Sequence, residues 1–443
     1  MIINTKPVKN MLNKIISFSI FFILPFHLYS QNPETLLTLA EKQMSDKELI
    51  IAEETLKKAL KIDPSFAPAF QALSKLSLQK GDLTTANSYS IQAVQSDEDF
   101  RAWSEGISEI AQKIQNGRAN IQKRMYEEAI KEYSEILSDF PYFPEAAFYI
   151  GLTYFKQKDI EGAAKYFKKA LDIYPEHGKA KKGLDNVTKQ FLNNGNNAYK
   201  RDDIEKATNY YKKAIEFDDS FYLAYFQLGV LEKKMGRSDD AIRYLNNVIK
   251  IKPDHEKSWY TLASVYESDG NYKDAISNYE KAIEINSDYS KAYGNLGKLY
   301  TIEGNYELAE KTLKSVIKID DQYADGFMHL GHLYLIQEKY DLAFNNLKIS
   351  TELDNRDFNK FFQLATAANS LDKWDDGSKA AQKCTELQKR FGGGWYEWGL
   401  SEFGKGNKTR AKRYFDEAHK DRDWRELAAL KIDEINNPLK YQK

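Results

Sequence analysis

Bulky apolar residues recur along this chain in clusters that are separated by polar turns. The stretch WYTLASVYESDGNYKDAISNYEKAIEIN, residues 259–286, contains one such pair of clusters on either side of Asp269-Gly270-Asn271. The glycine of that triplet can supply the positive φ of a tight turn. Its bulky residues fall three, four or seven positions apart within each cluster: Trp259, Leu262, Tyr266, Tyr272 and Tyr279. This spacing predicts two short antiparallel helices.

The stretch is one period of a repeat. Small residues recur every 34 positions before and after Ala263, except that two intervals are longer, one by ten residues and one by nine. We call these residues anchors: Ala40, Ser74, Gly117, Gly151, Gly195, Gly229, Ala263, Gly297, Gly331, Ala365 and Gly399. Twelve residues after each anchor stands another small residue: Ala52, Ala86, Ala129, Ala163, Ala207, Ala241, Ala275, Ala309, Ala343, Gly377 and Ala411. Larger side chains would push two packed helices apart, so the two positions mark the closest helix contact of each repeat.

The motifs W-x2-L-A-x2-Y and A-x3-Y-x2-A in this period resemble the tetratricopeptide repeat (TPR) family. The resemblance implies an all-α solenoid, a right-handed superhelix of antiparallel helix pairs, with about eleven repeats and a C-terminal capping helix. Several first helices lack the tyrosine of the motif, so repeats one, three, five and ten match it least: Gln43, Ser77, Asn120, Ala198, Glu232, Ala368 and Glu402 stand there.

The two shifts of the period divide the predicted architecture. Residues 33–175 hold repeats one to four, with a lengthened helix at 100–117. Residues 176–422 hold repeats five to eleven and begin with a second lengthened helix at 177–195. Residues 423–443 form the capping helix and tail, which should cover the last hydrophobic face of the solenoid.

Residues 1–30 have the features of a secretory signal peptide. Three lysines precede the apolar run Ile15–Leu24, and the most suitable cleavage point follows Ser30. Translation could also begin at Met11. The run is too short to span a bilayer comfortably, and no second long apolar stretch follows. We therefore expect export to the periplasm or the extracellular space, without stable membrane insertion after cleavage.

Charge and cysteine content exclude some functions. The 64 basic and 65 acidic residues leave a net charge of −1, which argues against nucleic-acid binding. Cys384 is the only cysteine, so neither an intrachain disulfide nor a cysteine-based metal site can form. It stands where six other repeats have alanine, which predicts a small core residue.

No catalytic motif is apparent. The chain contains neither a phosphate-binding glycine loop nor a Gly-x-Ser-x-Gly element. The glycines of FGGGW, residues 391–395, are interpreted as a turn between repeats. His329 and His332 share a helix face, but a metal site requires at least a third ligand. We therefore predict no enzymatic activity, no metal and no cofactor.

The family resemblance places the residue three before each anchor in a concave groove. We call these positions the groove column: Leu37, Gln71, Ile114, Phe148, Leu192, Phe226, Tyr260, Gly294, Met328, Phe362 and Tyr396. Among them Phe148, Phe226, Tyr260, Phe362 and Tyr396 are predicted to contact a partner, with Asn193, Asn196, Asn295 and Lys298 binding its backbone. The alternative is that the column only packs between repeats. Family members that clamp a C-terminal carboxylate have lysine in this column, and this chain has none there.

The sequence predicts an exported scaffold that binds a peptide or helix of a partner protein. One alternative is a chaperone-like or assembly subunit of an envelope secretion or polymer-export complex. Another is a TPR-bearing enzyme resembling glycosyltransferases, although the repeats leave no residues for a catalytic domain. Partner identity and oligomeric state are left open.

Overall fold

A computed structural model describes residues 32–441, and the predicted signal peptide lies outside this range. Within it the chain forms 23 α-helices, two short 3-10 helices and no strand, which confirms the all-α class. The α-helices are α1 (Pro33–Ser45), α2 (Leu49–Ile62), α3 (Ala67–Gln79), α4 (Leu83–Ser96), α5 (Arg101–Gln122), α6 (Tyr126–Asp139), α7 (Pro144–Gln157), α8 (Ile160–Ile173), α9 (Gly178–Lys200), α10 (Ile204–Phe217), α11 (Tyr222–Lys234), α12 (Ser238–Ile251), α13 (Glu256–Ser268), α14 (Tyr272–Ile285), α15 (Ser290–Ile302), α16 (Tyr306–Ile319), α17 (Ala324–Ile336), α18 (Tyr340–Leu353), α19 (Phe358–Asn369), α20 (Trp374–Leu387), α21 (Gly392–Gly404), α22 (Lys408–Ala418) and α23 (Arg425–Asn436).

Helices α1 to α22 form eleven consecutive pairs, in which each odd-numbered helix precedes its partner. We call the odd-numbered members first helices and the even-numbered members second helices. The last helix, α23, packs Ala428, Ile432 and Ile435 against the core of α22. Eleven helix pairs followed by a capping helix agree with the predicted repeat architecture.

The small residues stand at the contact between paired helices, as predicted. All eleven anchors and all eleven residues twelve positions later are buried. In the second repeat the Ser74 hydroxyl donates a hydrogen bond of 2.7 Å to the Ala86 carbonyl, which joins the two positions directly. A Cβ added to Gly151 would lie 2.8 Å from the Phe167 ring and 3.2 Å from the Ala163 carbonyl. Only a small anchor lets the helices approach this closely.

The turn inside every described repeat contains one residue with positive φ, seven positions after the anchor. Five of these residues are glycine, including Gly270 at +75°. The other six are not glycine and adopt φ values between 55° and 67°: Lys47, Arg124, Lys158, Asp202, Glu338 and Asp372. The left-handed conformation is therefore imposed by helix pairing even where the residue type does not favour it.

Two first helices are longer than the rest. Helix α5 has 22 residues and α9 has 23, whereas most others have 13 or 14. The chain divides into two compact units: the first extends to Asn197 and includes residues 216–218, and the second comprises residues 198–215 and everything from Asp219 onward. The division lies within α9 and α10.

The glycines of FGGGW do not form a turn between repeats. Gly392, Gly393 and Gly394 are the first three residues of α21, and all are buried. A Cβ added to Gly394 would lie 2.8 Å from the Cys384 sulfur, and one on Gly393 would lie 2.6 Å from the Phe391 ring. These glycines are required for close packing, which the interpretation as a turn did not anticipate.

Candidate functional site

The groove column is half-buried or buried along the described chain. Its aromatic members contact another ring that stands immediately before the next first helix. Ring centroids lie 5.0 Å apart for Phe226 and His255 and 5.0 Å apart for Tyr260 and Tyr289. In the first unit, the Phe148 and His177 rings are 5.5 Å apart. These geometries are typical of aromatic pairs that stabilise a core.

The second ring of each pair belongs to a regular set of residues that the sequence interpretation missed. We call the residue immediately before each first helix, and before α23, the cap column. It carries a ring at ten of eleven positions after the first repeat: Phe66, Phe100, Phe143, His177, Phe221, His255, Tyr289, Tyr323, Phe391 and Trp424. The sequence shows this regularity once the repeat period is known. Its consequence is that most groove-column side chains are partly covered from one side.

Repeat eight shows how completely a ring of the cap column can fill the groove position. The groove column there is Gly294, which is buried. A Cβ added to Gly294 would lie 2.8 Å from the Tyr323 ring. The tyrosine ring therefore occupies the space of the missing side chain, and burial raises the pKa of its hydroxyl.

One member of the cap column carries no ring. It is Asp357, which stands immediately before α19, the first helix of repeat ten. Its carboxylate accepts a hydrogen bond of 2.9 Å from the Asn359 backbone amide and so caps α19. The nearby Lys360 ammonium is almost fully buried and lies 2.7 Å from an Asp354 oxygen and 2.8 Å from an Asp325 oxygen. Charged groups thus replace the ring, and Met328, the preceding member of the groove column, has no ring from the cap column beside it.

A pocket of about 680 Å³ lies beside Met328. Its lining comes only from the three first helices α15, α17 and α19 and is mainly apolar: Lys298, Thr301, Ile302, Met328, His329, His332, Leu335, Ile336, Asn359, Phe362, Gln363 and Thr366. Of the predicted contact residues, Phe362 and Lys298 therefore lie at this pocket. Phe362 also packs against Phe391 at 5.1 Å and Trp424 at 5.6 Å, so only part of its ring faces the groove.

The polar groups of the pocket are largely uncharged. The Gln363 side-chain carbonyl is buried and has no hydrogen-bond partner among the described residues. Burial, with a contribution from the Lys298 charge, lowers the pKa of His329 to about 4. Partial desolvation also lowers the pKa of His332, which is exposed at the mouth of the pocket. Both imidazoles are therefore favoured in their neutral forms at pH 7.

Lys298 and Asn295 take part in a hydrogen-bond network within the groove. The Lys298 ammonium lies 2.6 Å from one Glu267 oxygen, and the Tyr279 hydroxyl donates to the other at 2.6 Å. The Asn295 amide donates to Tyr279 at 3.0 Å and to Tyr260 at 3.2 Å. The lysine charge is thus paired, and these predicted backbone-binding groups already have intramolecular partners.

The other predicted contact residues lie outside the pocket. Tyr396 packs against Trp424 at 5.3 Å and Phe415 at 5.5 Å. Asn193 is exposed and Asn196 is half-buried, and both lie on α9. Phe148 lies in the first unit. The structure therefore brings together only Lys298 and Phe362 at the pocket, with Asn295 and Tyr260 in the adjoining network.

Two buried titratable groups stand near the pocket or in the core. Glu397 accepts hydrogen bonds from the Asn369 amide at 2.8 Å and the Thr366 hydroxyl at 3.0 Å, and burial raises its pKa to about 7. Burial raises the pKa of Cys384 to about 12, which agrees with its prediction as a core residue. A thiol with such a pKa stays protonated and is a poor nucleophile.

Within residues 32–441, no group of three or more metal-ligating side chains is arranged to hold an ion. Over the same residues, every helix is too short or too polar to cross a membrane.

Models of known protein families match this chain, and both matching models describe the same repeat. Models of the tetratricopeptide repeat match residues 220–288, 254–322 and 144–177. No curated protein sequence matches the chain. The crystal structure of YrrB, described as a TPR protein with an unusual peptide-binding site, shares 22% identity over 42% of this chain and 95% of its own, with a TM-score of 0.37.

Two further structures resemble longer parts of the chain. A tetratricopeptide repeat protein from Parabacteroides merdae shares 16% identity over 56% of this chain and 99% of its own, with a TM-score of 0.43. The Cut9–Hcn1 hetero-tetramer of the APC/C has a chain with 13% identity over 91% of this chain and 96% of its own, with a TM-score of 0.45.

The fold and the matched repeats define the class: this chain contains tetratricopeptide repeats arranged as an all-helical solenoid. TPR proteins generally mediate protein–protein interactions.

Proposed function

We propose that this chain is an exported, non-enzymatic scaffold that holds a segment of a partner protein in the groove of its second unit. The observation that carries the proposal is the uncovered position at Met328. In repeats four, six, seven, eight, ten and eleven a ring of the cap column packs at the groove column. In repeat nine a mainly apolar pocket faces outward between α15, α17 and α19. Apolar concavities of this kind on a rigid helical framework favour the binding of a partner's side chains.

Partner capture from an envelope extract tests the groove. Met328→Asp places a charge in the apolar pocket and should abolish capture, because the carboxylate would be desolvated on binding. The matched control is Lys281→Ala, which changes an exposed second-helix side chain and should leave capture intact. Circular dichroism checks that both variants fold. Equal capture by wild type and Met328→Asp would place the binding surface elsewhere.

Export is supported by residues 1–30, in which a basic segment is followed by an apolar run and then by a more polar end, as in secretory signal peptides. The mature chain should begin at Gln31 and be recovered from the periplasm or the medium. Cell fractionation followed by N-terminal sequencing measures this directly. A cytosolic chain that retains residues 11–30 would disprove export without affecting the groove.

A further inference from the structure

We infer that Glu397 joins α21 to α19 through a proton on its carboxyl group, and that loss of this proton releases the α19 wall of the pocket beside Met328. The link itself involves only residues of the second unit. Its role in regulating partner binding rests on the proposed function, so the test observes the pocket wall with no partner present.

The Glu397 carboxyl group is held by two uncharged side chains of α19. Its Oε1 atom lies 3.0 Å from the Thr366 hydroxyl, and its Oε2 atom lies 2.8 Å from the Asn369 amide nitrogen. The same nitrogen lies 2.9 Å from the Glu397 backbone carbonyl. A backbone carbonyl can only accept a hydrogen bond, so this contact requires the nitrogen of the Asn369 amide to face Glu397. Asn369 therefore donates to Oε2, and a proton on the carboxyl group sits on Oε1.

The hydrogen available at Thr366 favours the protonated form of Glu397. The Thr366 hydroxyl lies 3.0 Å from Oε1 and 3.1 Å from the Phe362 carbonyl, but it has a single hydrogen to donate. If Oε1 carries a proton, it donates to Thr366 while Thr366 donates to Phe362, and both contacts are hydrogen bonds. If the carboxyl group is ionised, one of the two contacts lacks a hydrogen. The neutral form of Glu397 therefore makes one hydrogen bond more than the ionised form.

The charged groups of the surrounding helices do not favour the ionised form. Four cations on the elements packed around Glu397 are held by other carboxylates: Lys360 by Asp325 and Asp354, Lys405 and Arg410 by Glu402, and Lys431 by Glu434. On α20, burial raises the pKa of the Cys384 thiol to about 12, so this group stays neutral. Burial also raises the pKa of Glu397 to about 7. The proton on Glu397 is therefore gained and lost near neutral pH.

Ionisation of Glu397 loosens the contact between α21 and α19. A desolvated carboxylate without a cation is costly. A second pocket, of about 450 Å³, adjoins the Glu397 side chain, and we call it the Glu397 pocket. Hydration of the carboxylate from this pocket lowers the cost and weakens its contacts with Thr366 and Asn369. Thr366 lines both the Glu397 pocket and the pocket beside Met328, so the α19 wall that the two pockets share responds to the proton.

NMR of protein labelled with fluorotryptophan and methyl-labelled methionine follows both ends of the link. Trp374 lines the Glu397 pocket, and Met328 lines the pocket in the groove. Trp374→Phe and Met328→Leu identify the two resonances. In a titration between about pH 5 and 9, both resonances should shift with one common midpoint near pH 7. The pKa values of His329 and His332 are lowered, so these groups titrate below that midpoint.

The Glu397→Gln variant reproduces the protonated state, because its amide can donate to Thr366 and cannot ionise. Both resonances should stay at the low-pH positions of wild type throughout the titration. Glu402→Gln is the matched control, since Glu402 lies on the same helix and is also buried, but it is paired with Lys405 and Arg410. The control should retain both titrations. Circular dichroism checks that each variant folds.

The Thr366→Val variant tests where the proton lies. It removes the acceptor of the neutral carboxyl group and should lower the Trp374 midpoint by about 0.7 of a pH unit, which corresponds to one hydrogen bond. Thr366→Ser keeps the hydroxyl and should restore the wild-type midpoint. A raised midpoint in Thr366→Val would mean that the hydroxyl donates to the ionised carboxylate, and the inferred position of the proton would be wrong. This pair of variants remains informative even if Glu397→Gln does not fold.

The outcomes separate this inference from the proposed function. If Trp374 does not titrate near pH 7, or titrates equally in Glu397→Gln, the proton link is overturned. If Trp374 titrates and Met328 does not, the link stops short of the groove, and the inferred release of the pocket wall is wrong. Failure of partner capture together with a Met328 shift that depends on Glu397 would overturn the proposed function and leave the link intact.

Discussion

Tyr260 and Met328 occupy the same position in repeats seven and nine, yet their surroundings differ. The Tyr260 ring lies 5.0 Å from Tyr289 and 5.5 Å from Tyr279, and its hydroxyl accepts a hydrogen bond from Asn295. Met328 instead borders an open pocket, because the cap column next to it is Asp357. One position of the repeat thus serves packing in one place and presents an apolar surface to the groove in another.

This difference resolves an ambiguity that the groove column alone leaves open. A row of apolar residues in a TPR groove can be read as a binding surface or as packing between repeats. The cap column decides between these readings, because its ring either covers the groove-column side chain or is missing. The proposed binding surface is therefore local to the groove position beside the charged member of the cap column.

Lys360→Met should have the largest effect on stability. The variant removes the ammonium that lies between Asp325 and Asp354 and leaves carboxylates facing one another in a partly buried site. We expect a loss of about 3 kcal/mol of unfolding free energy. Urea unfolding followed by circular dichroism measures it. Lys281→Met, at an exposed ion pair, should cost only about 0.5 kcal/mol. Similar losses in both variants would show that the aspartate cluster does not depend on Lys360.

Phe391→Ala removes the ring that covers Phe362 and should cost about 3 kcal/mol, because the Phe391 ring packs against Phe358, Phe362 and Trp424. It should also expose more of the Phe362 ring to the groove. Thermal melting measures the stability, and binding of an apolar dye measures the exposure. An unchanged melting temperature would mean that the cap column does not contribute to packing.

Glu397→Gln should change how stability depends on pH. Because burial raises the folded-state pKa of Glu397 to about 7 from its ordinary value of 4.5, the folded chain retains a proton that the unfolded chain releases. This stabilisation is present below pH 4.5 and is lost as the pH rises toward 7. Above pH 7 the unfolding free energy of the glutamine variant should exceed that of wild type by about 3 kcal/mol. Melting curves between pH 4 and 8 measure it, and parallel curves for both proteins would contradict the prediction.

Asp357→Phe should have the smallest effect on stability and a large one on binding. The new ring restores the cap column beside Met328, and its packing should offset the lost helix cap to within about 1 kcal/mol. The filled pocket should bind the partner captured from the envelope extract at least about tenfold more weakly. Asp357→Asn keeps a side chain that can cap α19 and should bind as wild type does. Unchanged affinity in Asp357→Phe would show that the missing ring is not what opens the pocket.

Much of the fold could be predicted from the sequence because small residues recur where helices touch. The anchor at Ser74 and its partner at Ala86 were identified from spacing alone, and their hydrogen bond confirms the contact. The glycines before Trp395 were misinterpreted, since glycine serves both turns and close helix packing. At the candidate site, Phe362 and Lys298 were named from their positions in the repeat. Gln363 was not, because nothing in its local sequence distinguishes a glutamine with a partner from one without.

The sequence by itself determined the repeat, its helix pairs and the position of each closest contact, because these depend on residue size at fixed spacing. Only the tertiary structure decided which groove side chains are covered, since that depends on a ring from the following repeat. It also held six non-glycine residues at positive φ, where the packing of two helices offsets an unfavourable backbone conformation. Local residue preferences carry no information about either outcome, because both arise from contacts between elements that fold against each other.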